Sequence, residues 1–186
     1  MNNVVDRAKN IVVTPKTEWA VVDAEPASVQ DIYTRYLVPL ALIPAVAGFI
    51  GMAIVGISIP GLGTIRTGFF ASVMQAILQF GVSLAMVYLF AVIIDALAPT
   101  FGGQRNPLAA FKVSAYSMTP AFLAGIFSLI PALSFLGIVG LYAIYLLYLG
   151  LPRLMRAPDD KAVAYTAVVV VAAIALWIVI FGILAF

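Results

Sequence analysis

The sequence predicts an all-α integral membrane protein: a bundle of five transmembrane helices with a short amphipathic N-terminal interfacial segment. Three observations carry this. Of the 186 residues, 64% are hydrophobic and only 10% are charged, against about 25% charged in an ordinary soluble domain. The charges fall in short clusters that leave four long uncharged gaps. No stretch inside those gaps alternates apolar and polar residues as a barrel strand does. Helices are then the way the backbone satisfies its own polar groups in lipid.

Residues 1–35 form a polar N-terminal segment. Val4, Val5, Ala8, Ile11 and Val12 recur there at helical spacing, with Asp6, Arg7, Lys9 and Asn10 elsewhere. Thr14-Pro15 reads as a cap followed by Pro at the first position of a second helix. Two arrangements fit. The segment lies on an anionic leaflet, with Arg7, Lys9, Lys16 and Trp19 at the lipid surface, or it is a flexible or bundle-packed terminus with no lipid role. The basic and aromatic residues beside the apolar stripe favour the lipid surface. The segment has no continuous apolar run, so it does not read as a cleaved signal peptide. Ser28 to Asp31 resembles a capping box opening the first span.

Residues 36–186 form the transmembrane domain. The gaps 36–65, 67–94 and 162–186 each suit one crossing, which needs about 20 apolar residues. The gap 113–152 is about twice that length. Pro131 lies near its middle, so it reads as two helices with a tight turn around 130–134. The five spans then cover about 37–59, 70–97, 108–130, 133–151 and 162–186. Pro39 and Pro44 should kink the first of them.

Five spans put the termini on opposite sides. Arg7, Lys9, Lys16, Arg35, Arg105, Lys112, Arg153, Arg156 and Lys161 then fall on one side, and only Arg66 on the other. This asymmetry predicts a cytoplasmic N-terminus and a C-terminus on the opposite face.

Composition also removes chemistries. The chain has no His and no Cys, which excludes Cys/His metal sites, Cys nucleophiles, His bases and disulfides. No catalytic constellation, metal site or cofactor site is evident, and a net charge of +2 gives no reason to expect nucleic acid. Gly61-Leu62-Gly63 lacks the further Gly and Lys of a phosphate loop. Asp159 and Asp160, opening the last span, complement its helix dipole.

Polar residues inside the spans mark candidate sites. Ser72, Gln75, Gln79 and Ser83 share one face of the second span. They read either as a midplane polar site for a solute or ion, or as interhelical hydrogen bonding that holds the bundle or a dimer. Asp95 ends the same span. It reads as the partner of Lys112 or Arg105, or as a proton or cation relay. In the third span, Ser114, Ser117, Ala121, Ala124, Gly125 and Ser128 form a small-residue packing seam. Tyr116 and Thr119 lie beside it. Pro120 there frees a backbone carbonyl and kinks the helix. Tyr142, Tyr145 and Tyr148 read as packing or interface aromatics.

Several stretches together resemble the Yip family, the Ypt-interacting proteins, and most closely its bacterial branch. They are Lys9-Asn10-Ile11 with Thr14-Pro15 and Glu18-Trp19; Ala115-Tyr116-Ser117 with Pro120; Tyr145-Leu146-Leu147-Tyr148-Leu149-Gly150-Leu151-Pro152; and Pro158-Asp159-Asp160-Lys161 ahead of Tyr165. The resemblance implies five spans, a cytoplasmic N-terminus and the bacterial cytoplasmic membrane. Eukaryotic relatives are associated with Rab-type GTPases and vesicle traffic. They carry Asp-Leu-Tyr-Gly-Pro before the first span. Here Asp31-Ile32-Tyr33 is followed by Thr34-Arg35, which argues against carrying GTPase binding over.

The functional expectation is a non-enzymatic membrane scaffold. Its partners are the lipid bilayer and, by self-association or otherwise, other membrane proteins. The alternative is a small-solute or ion transporter using the polar stripe of the second span.

Overall fold

The computed structural model describes residues 3–59 and 63–184. Positions 61 and 62 of the first connection and the C-terminal Phe186 lie outside them. The chain opens with two short helices, α1 (Val4–Val13) and α2 (Pro15–Ala24). Pro15 begins α2, where its missing N–H is no loss. The Thr14 hydroxyl does not cap α2; it donates back to the Asn10 carbonyl at 3.1 Å. α2 stops at Glu25, because a residue before Pro is pushed to extended backbone.

The first long helix runs Val29–Val55, so it starts before position 37 and carries straight through position 35. Ser28 caps it, accepting the Asp31 N–H at 3.0 Å. It consists of α3 (Val29–Ile32), a π-helical turn (Tyr33–Leu37), α4 (Val38–Ile50) and a second π-helical turn (Gly51–Val55). Pro39 offers no N–H to the Arg35 carbonyl and its ring crowds that turn. The wider π turn just before it takes up the misfit. A three-residue hairpin follows, β1 (Ile57–Ile59) antiparallel to β2 (Gly63–Ile65), with Ile57 opposite Ile65. The helical reading of the sequence does not contain this feature. Strands this short show no measurable periodicity.

α5 (Phe69–Leu97) continues as a 3-10 turn (Ala98–Phe101) and ends at Gly102, whose φ of 75° is a left-handed conformation. α6 (Pro107–Ser117) is capped by Asn106, whose side chain accepts the Ala109 N–H at 3.0 Å. The predicted span at 108–130 is not one helix. It comprises α6, α7 (Thr119–Ala124) and a 3-10 stretch (Gly125–Leu129). Pro120 causes the break, since it cannot donate to the carbonyl four residues back, that of Tyr116. The Thr119 hydroxyl supplies the missing bond, donating to Tyr116 O at 2.7 Å.

Ile130 is extended and separates that stretch from a second 3-10 helix (Pro131–Leu141). α8 (Tyr142–Met155) follows, then a 3-10 turn (Asp159–Lys161) and α9 (Ala162–Leu184). Among the described residues four helices are long and apolar enough to cross a membrane: Val29–Val55, Phe69–Phe101, Pro131–Met155 and Asp159–Ile180. The all-α membrane class therefore holds, with four such helices and one broken segment.

α6 is the centre of the fold. Every residue from Ala110 to Ser117 is buried, between α5 and α8. The outer surface is apolar instead. Phe70, Phe135, Ile138, Val171 and Ile178 are all well exposed, as side chains facing lipid are. At one end of the bundle the Gln104 N–H donates to Met155 O at 2.7 Å, and Arg156 pairs with Asp23 at 3.0 Å. These contacts join the second and fourth connections to the end of α2. Arg156 holds a left-handed φ of 55° there.

Elsewhere the first long helix and the 3-10 stretch approach closely at two glycines. A Cβ on Gly51 would fall 2.0 Å from the Ser128 carbonyl oxygen, and one on Gly125 would fall 2.5 Å from Pro44 Cβ. Gly51→Ala must therefore push the first long helix off the 3-10 stretch. The expected cost is about 1–3 kcal/mol, as for other overpacked sites. A lower midpoint of thermal unfolding in detergent, with helix content retained, is the readout.

Candidate functional site

The polar groups of the chain converge where the N-terminal helices enter the bundle. α1 and α2 each bury one face against the bundle and leave the other exposed. Arg7 is 2% exposed and Trp19 1%, so the expectation that both meet lipid is corrected. Lys9 and Lys16 do remain exposed. The reason is pairing. The Arg7 guanidinium donates to Glu18 Oε1 at 2.5 Å and also to Glu25 Oε2. Its Cζ lies 5.7 Å from the centre of the Tyr116 ring, within cation–π range. Lys112 enters from α6 and donates to the carbonyls of Val22 at 2.8 Å and Glu25 at 2.6 Å. Two cations and two carboxylates thus balance inside the fold, which makes their burial tolerable.

An aromatic layer packs beside this cluster. Trp19 meets Tyr116 edge-on at 6.4 Å, and Tyr116 meets Tyr36 at 4.8 Å. The Tyr36 hydroxyl lies 2.7 Å from Thr119 Oγ1, which donates onward to Tyr116 O. The proline break in the third segment is therefore wired to the first long helix. Trp19 lies flat on α8 because position 150 is Gly: a Cβ there would fall 2.7 Å from Trp19 Cζ2 and 2.9 Å from Cε2. Deeper along α8, the Tyr142 hydroxyl donates to Val12 O at 3.0 Å. Tyr142 lies ~20 Å of helix from Met155, at ~1.5 Å per residue. The N-terminal hairpin therefore runs along the side of α8 rather than resting only on the end of the bundle.

The other predicted positions separate. Ser72 is buried, with its hydroxyl 3.5 Å from Thr67 O. Gln75 and Gln79 are exposed, and Ser83 donates to Phe80 O within its own helix at 2.8 Å. The four do not come together as one interior site. The hydrogen bonds that tie other helices to α5 come from Tyr33 to Leu84 O, Ser114 to Val87 O and Tyr165 to Ile94 O. Asp95 meets neither Lys112 nor Arg105. Its Oδ1 accepts the Asn106 N–H at 2.8 Å and so fixes the start of α6. Lys112 is drawn away to the end of α2, and Arg105 is exposed. Tyr116, Ser117 and Pro120 are buried, and Gly125 abuts Pro44. Ser117 Oγ is buried without a partner among the described residues. No group of three His, Cys, Asp or Glu side chains among the described residues is placed to hold a metal ion.

Glu18-Trp19, Ala115-Tyr116-Ser117 and the stretch ending Leu149-Gly150-Leu151-Pro152 are far apart in sequence, yet they meet at this cluster. A match to the Yip1 domain covers residues 9–180. The chain belongs to the Yip1 family. The inner membrane protein YohC of Escherichia coli K12 is 32% identical over 159 residues, spanning 82% of this chain and 80% of that protein. YohC of Escherichia coli O6:H1 gives the same values. No solved structure matches. In this Yip1-family chain, Trp19, Tyr116 and Gly150, from three of these stretches, meet at the seat of the N-terminal hairpin.

Glu18, Glu25, Tyr36, Thr119 and Gly150 carry much of the site's geometry, and reading for intramembrane polar residues misses their roles. The first two lie in a segment whose charges suggest solvent. The available signal is the Thr14-Pro15 joint. A tight turn between two short amphipathic helices folds one onto the other and sets Arg7 against Glu18.

Proposed function

We propose that this protein is a non-enzymatic membrane scaffold of the bacterial inner membrane, built on a rigid polar platform. The carrying observation is the buried Arg7–Glu18–Glu25 cluster with Lys112. These charged groups are committed to one another and to backbone carbonyls, which suits a fastener rather than a reactive centre. The platform they hold is the end of the bundle that gathers α2, the second connection and the fourth connection. Exposed Lys9, Lys16, Arg105 and Arg153 lie on or beside those elements. The name of the E. coli relative, inner membrane protein, supports the location. The charge asymmetry of the sequence supports a cytoplasmic N-terminus. We read 107–130 as a fifth, broken crossing, tolerated because its irregular backbone is buried in protein. The exposure of Gln75 and Gln79 favours the scaffold over a solute pathway through the bundle.

Single-Cys variants test this cleanly, since the chain has no Cys of its own. Lys9→Cys and Arg105→Cys should react with an impermeant thiol reagent from the cytoplasmic side, and Ser134→Cys from the other. Gln75→Cys and Gln79→Cys should resist the reagent from both sides. A photo-crosslinker at position 9 in whole cells should give a defined membrane-protein adduct that the lipid-facing position 174 does not. Positions 105 and 134 reacting from the same side would remove the fifth crossing. Ready aqueous labelling at 75 and 79 would replace the scaffold with a transporter.

A further inference from the structure

We propose that the crevice between α2, α8 and the start of α9 is a binding site for the headgroup of an anionic glycerophospholipid. The crevice is open on one side, has a volume of about 590 Å³ and is lined by Lys16, Trp19, Tyr148, Leu149, Pro152, Arg153, Asp159 and Ala162. Its size fits a phosphodiester headgroup with the first part of its acyl chains.

The charges specify the ligand. Most other cations are committed: Arg7 to Glu18 and Glu25, Arg35 to Asp31, Arg156 to Asp23, Arg66 to Ile54 O and Lys112 to two carbonyls. The side chains of Lys16 and Arg153 have no carboxylate within ion-pair distance among the described residues, yet both line this one crevice. They suit a phosphate, bound by Arg as a planar fork and by Lys as a point charge. Asp159 also lines the crevice, and its carboxylate can accept a hydrogen bond from a headgroup hydroxyl. Two cations and one carboxylate leave the lining at +1, which a singly charged anionic lipid neutralises and a zwitterionic lipid does not.

A second observation points the same way. Trp19, which lines the crevice, carries a buried indole N–H with no partner among the described residues. A buried donor left unpaired is costly, and a small tilt of the ring toward the crevice would offer the N–H to a phosphate or ester oxygen. Exposed Tyr148 and half-buried Leu149 give the acyl chains an apolar wall. Basic pockets between helices at a membrane surface bind lipid headgroups in this manner.

The test is native mass spectrometry of the full chain, purified in detergent and titrated with phosphatidylglycerol or phosphatidylethanolamine. One phosphatidylglycerol should remain bound per chain, with phosphatidylethanolamine retained roughly tenfold less. Lys16→Gln with Arg153→Gln should lower phosphatidylglycerol retention by roughly tenfold or more. Both side chains are exposed, so folding should not change, and an unaltered unfolding midpoint checks this. Lys9→Gln with Arg105→Gln removes the same charge elsewhere and should leave retention intact. Equal retention of the two lipids, or equal loss in the control, overturns the site. Displacement of the lipid by millimolar inorganic phosphate or glycerol phosphate would show a soluble phosphate site instead, and would overturn the lipid assignment.

Discussion

Arg7→Met should release the N-terminal hairpin from the bundle. The substitution keeps the apolar stem's bulk but removes the guanidinium, which leaves the Glu18 carboxylate buried and unpaired, at 5% exposure. Removing one partner of a buried ion pair costs about 3–5 kcal/mol, a large part of the stability of a domain this size. The bundle can limit the loss by expelling α1 and α2, which lets Glu18 reach water. The readout is thiol labelling of an Ile11→Cys variant, at a position whose side chain has no exposure. The thiol should be unreactive with Arg7 in place and react rapidly once Arg7→Met is added. Glu18→Gln combined with Arg7→Met removes the stranded charge and should recover much of the protection, a coupling expected between direct partners. If the thiol at position 11 stays protected alongside Arg7→Met, the ion pair is not what holds the hairpin.

The second large effect is expected at Gly150. Its hydrogen faces the Trp19 ring, where a Cβ would fall 2.7–2.9 Å from three ring carbons. The ring also packs edge-on against Tyr116, and α8 is held by its own backbone, so the clash is relieved only by moving the ring. Gly150→Ala should cost about 1–3 kcal/mol, although Ala is the better helix former. Trp19 should shift outward. The chain has two Trp, so the measurement belongs in a Trp177→Phe background, where Trp19 emission should move to longer wavelength. Trp19→Phe shortens the ring and should make Gly150→Ala nearly neutral, which separates the clash from any general weakening of α8. Additive costs in that double variant would rule out the clash.

These two predictions fall on residues that the sequence treats very differently. Trp19 invites attention, but as a membrane-surface anchor, because aromatic and basic residues together are the usual mark of an interface. Gly150 sits in an apolar run where a small residue excites little comment. Only their meeting shows the purpose of either. Arg7 is similar. Its nearest acids in the fold lie 11 and 18 positions away, outside the i,i+4 spacing at which charge pairs on one helix are visible. Pro120 is readable further. The freed Tyr116 carbonyl follows from proline chemistry, whereas the Thr119 hydroxyl that satisfies it, backed by Tyr36 from 83 positions away, does not.

Composition and the spacing of charges were enough to establish a helical membrane protein. Those properties are sums over many residues. Each apolar side chain adds its own small preference for lipid, and no single contact decides the outcome. The fate of the polar residues is a different kind of quantity. A buried charge is prohibitive alone and acceptable when paired, so its position depends on a partner and not on its own chemistry. The fold alone brings Arg7 to Glu18 and Glu25, sends Lys112 away from Asp95, leaves Gln75 and Gln79 outside, and sets Lys16 beside Arg153. Pairing is a property of distance in space, and the sequence records only distance along the chain.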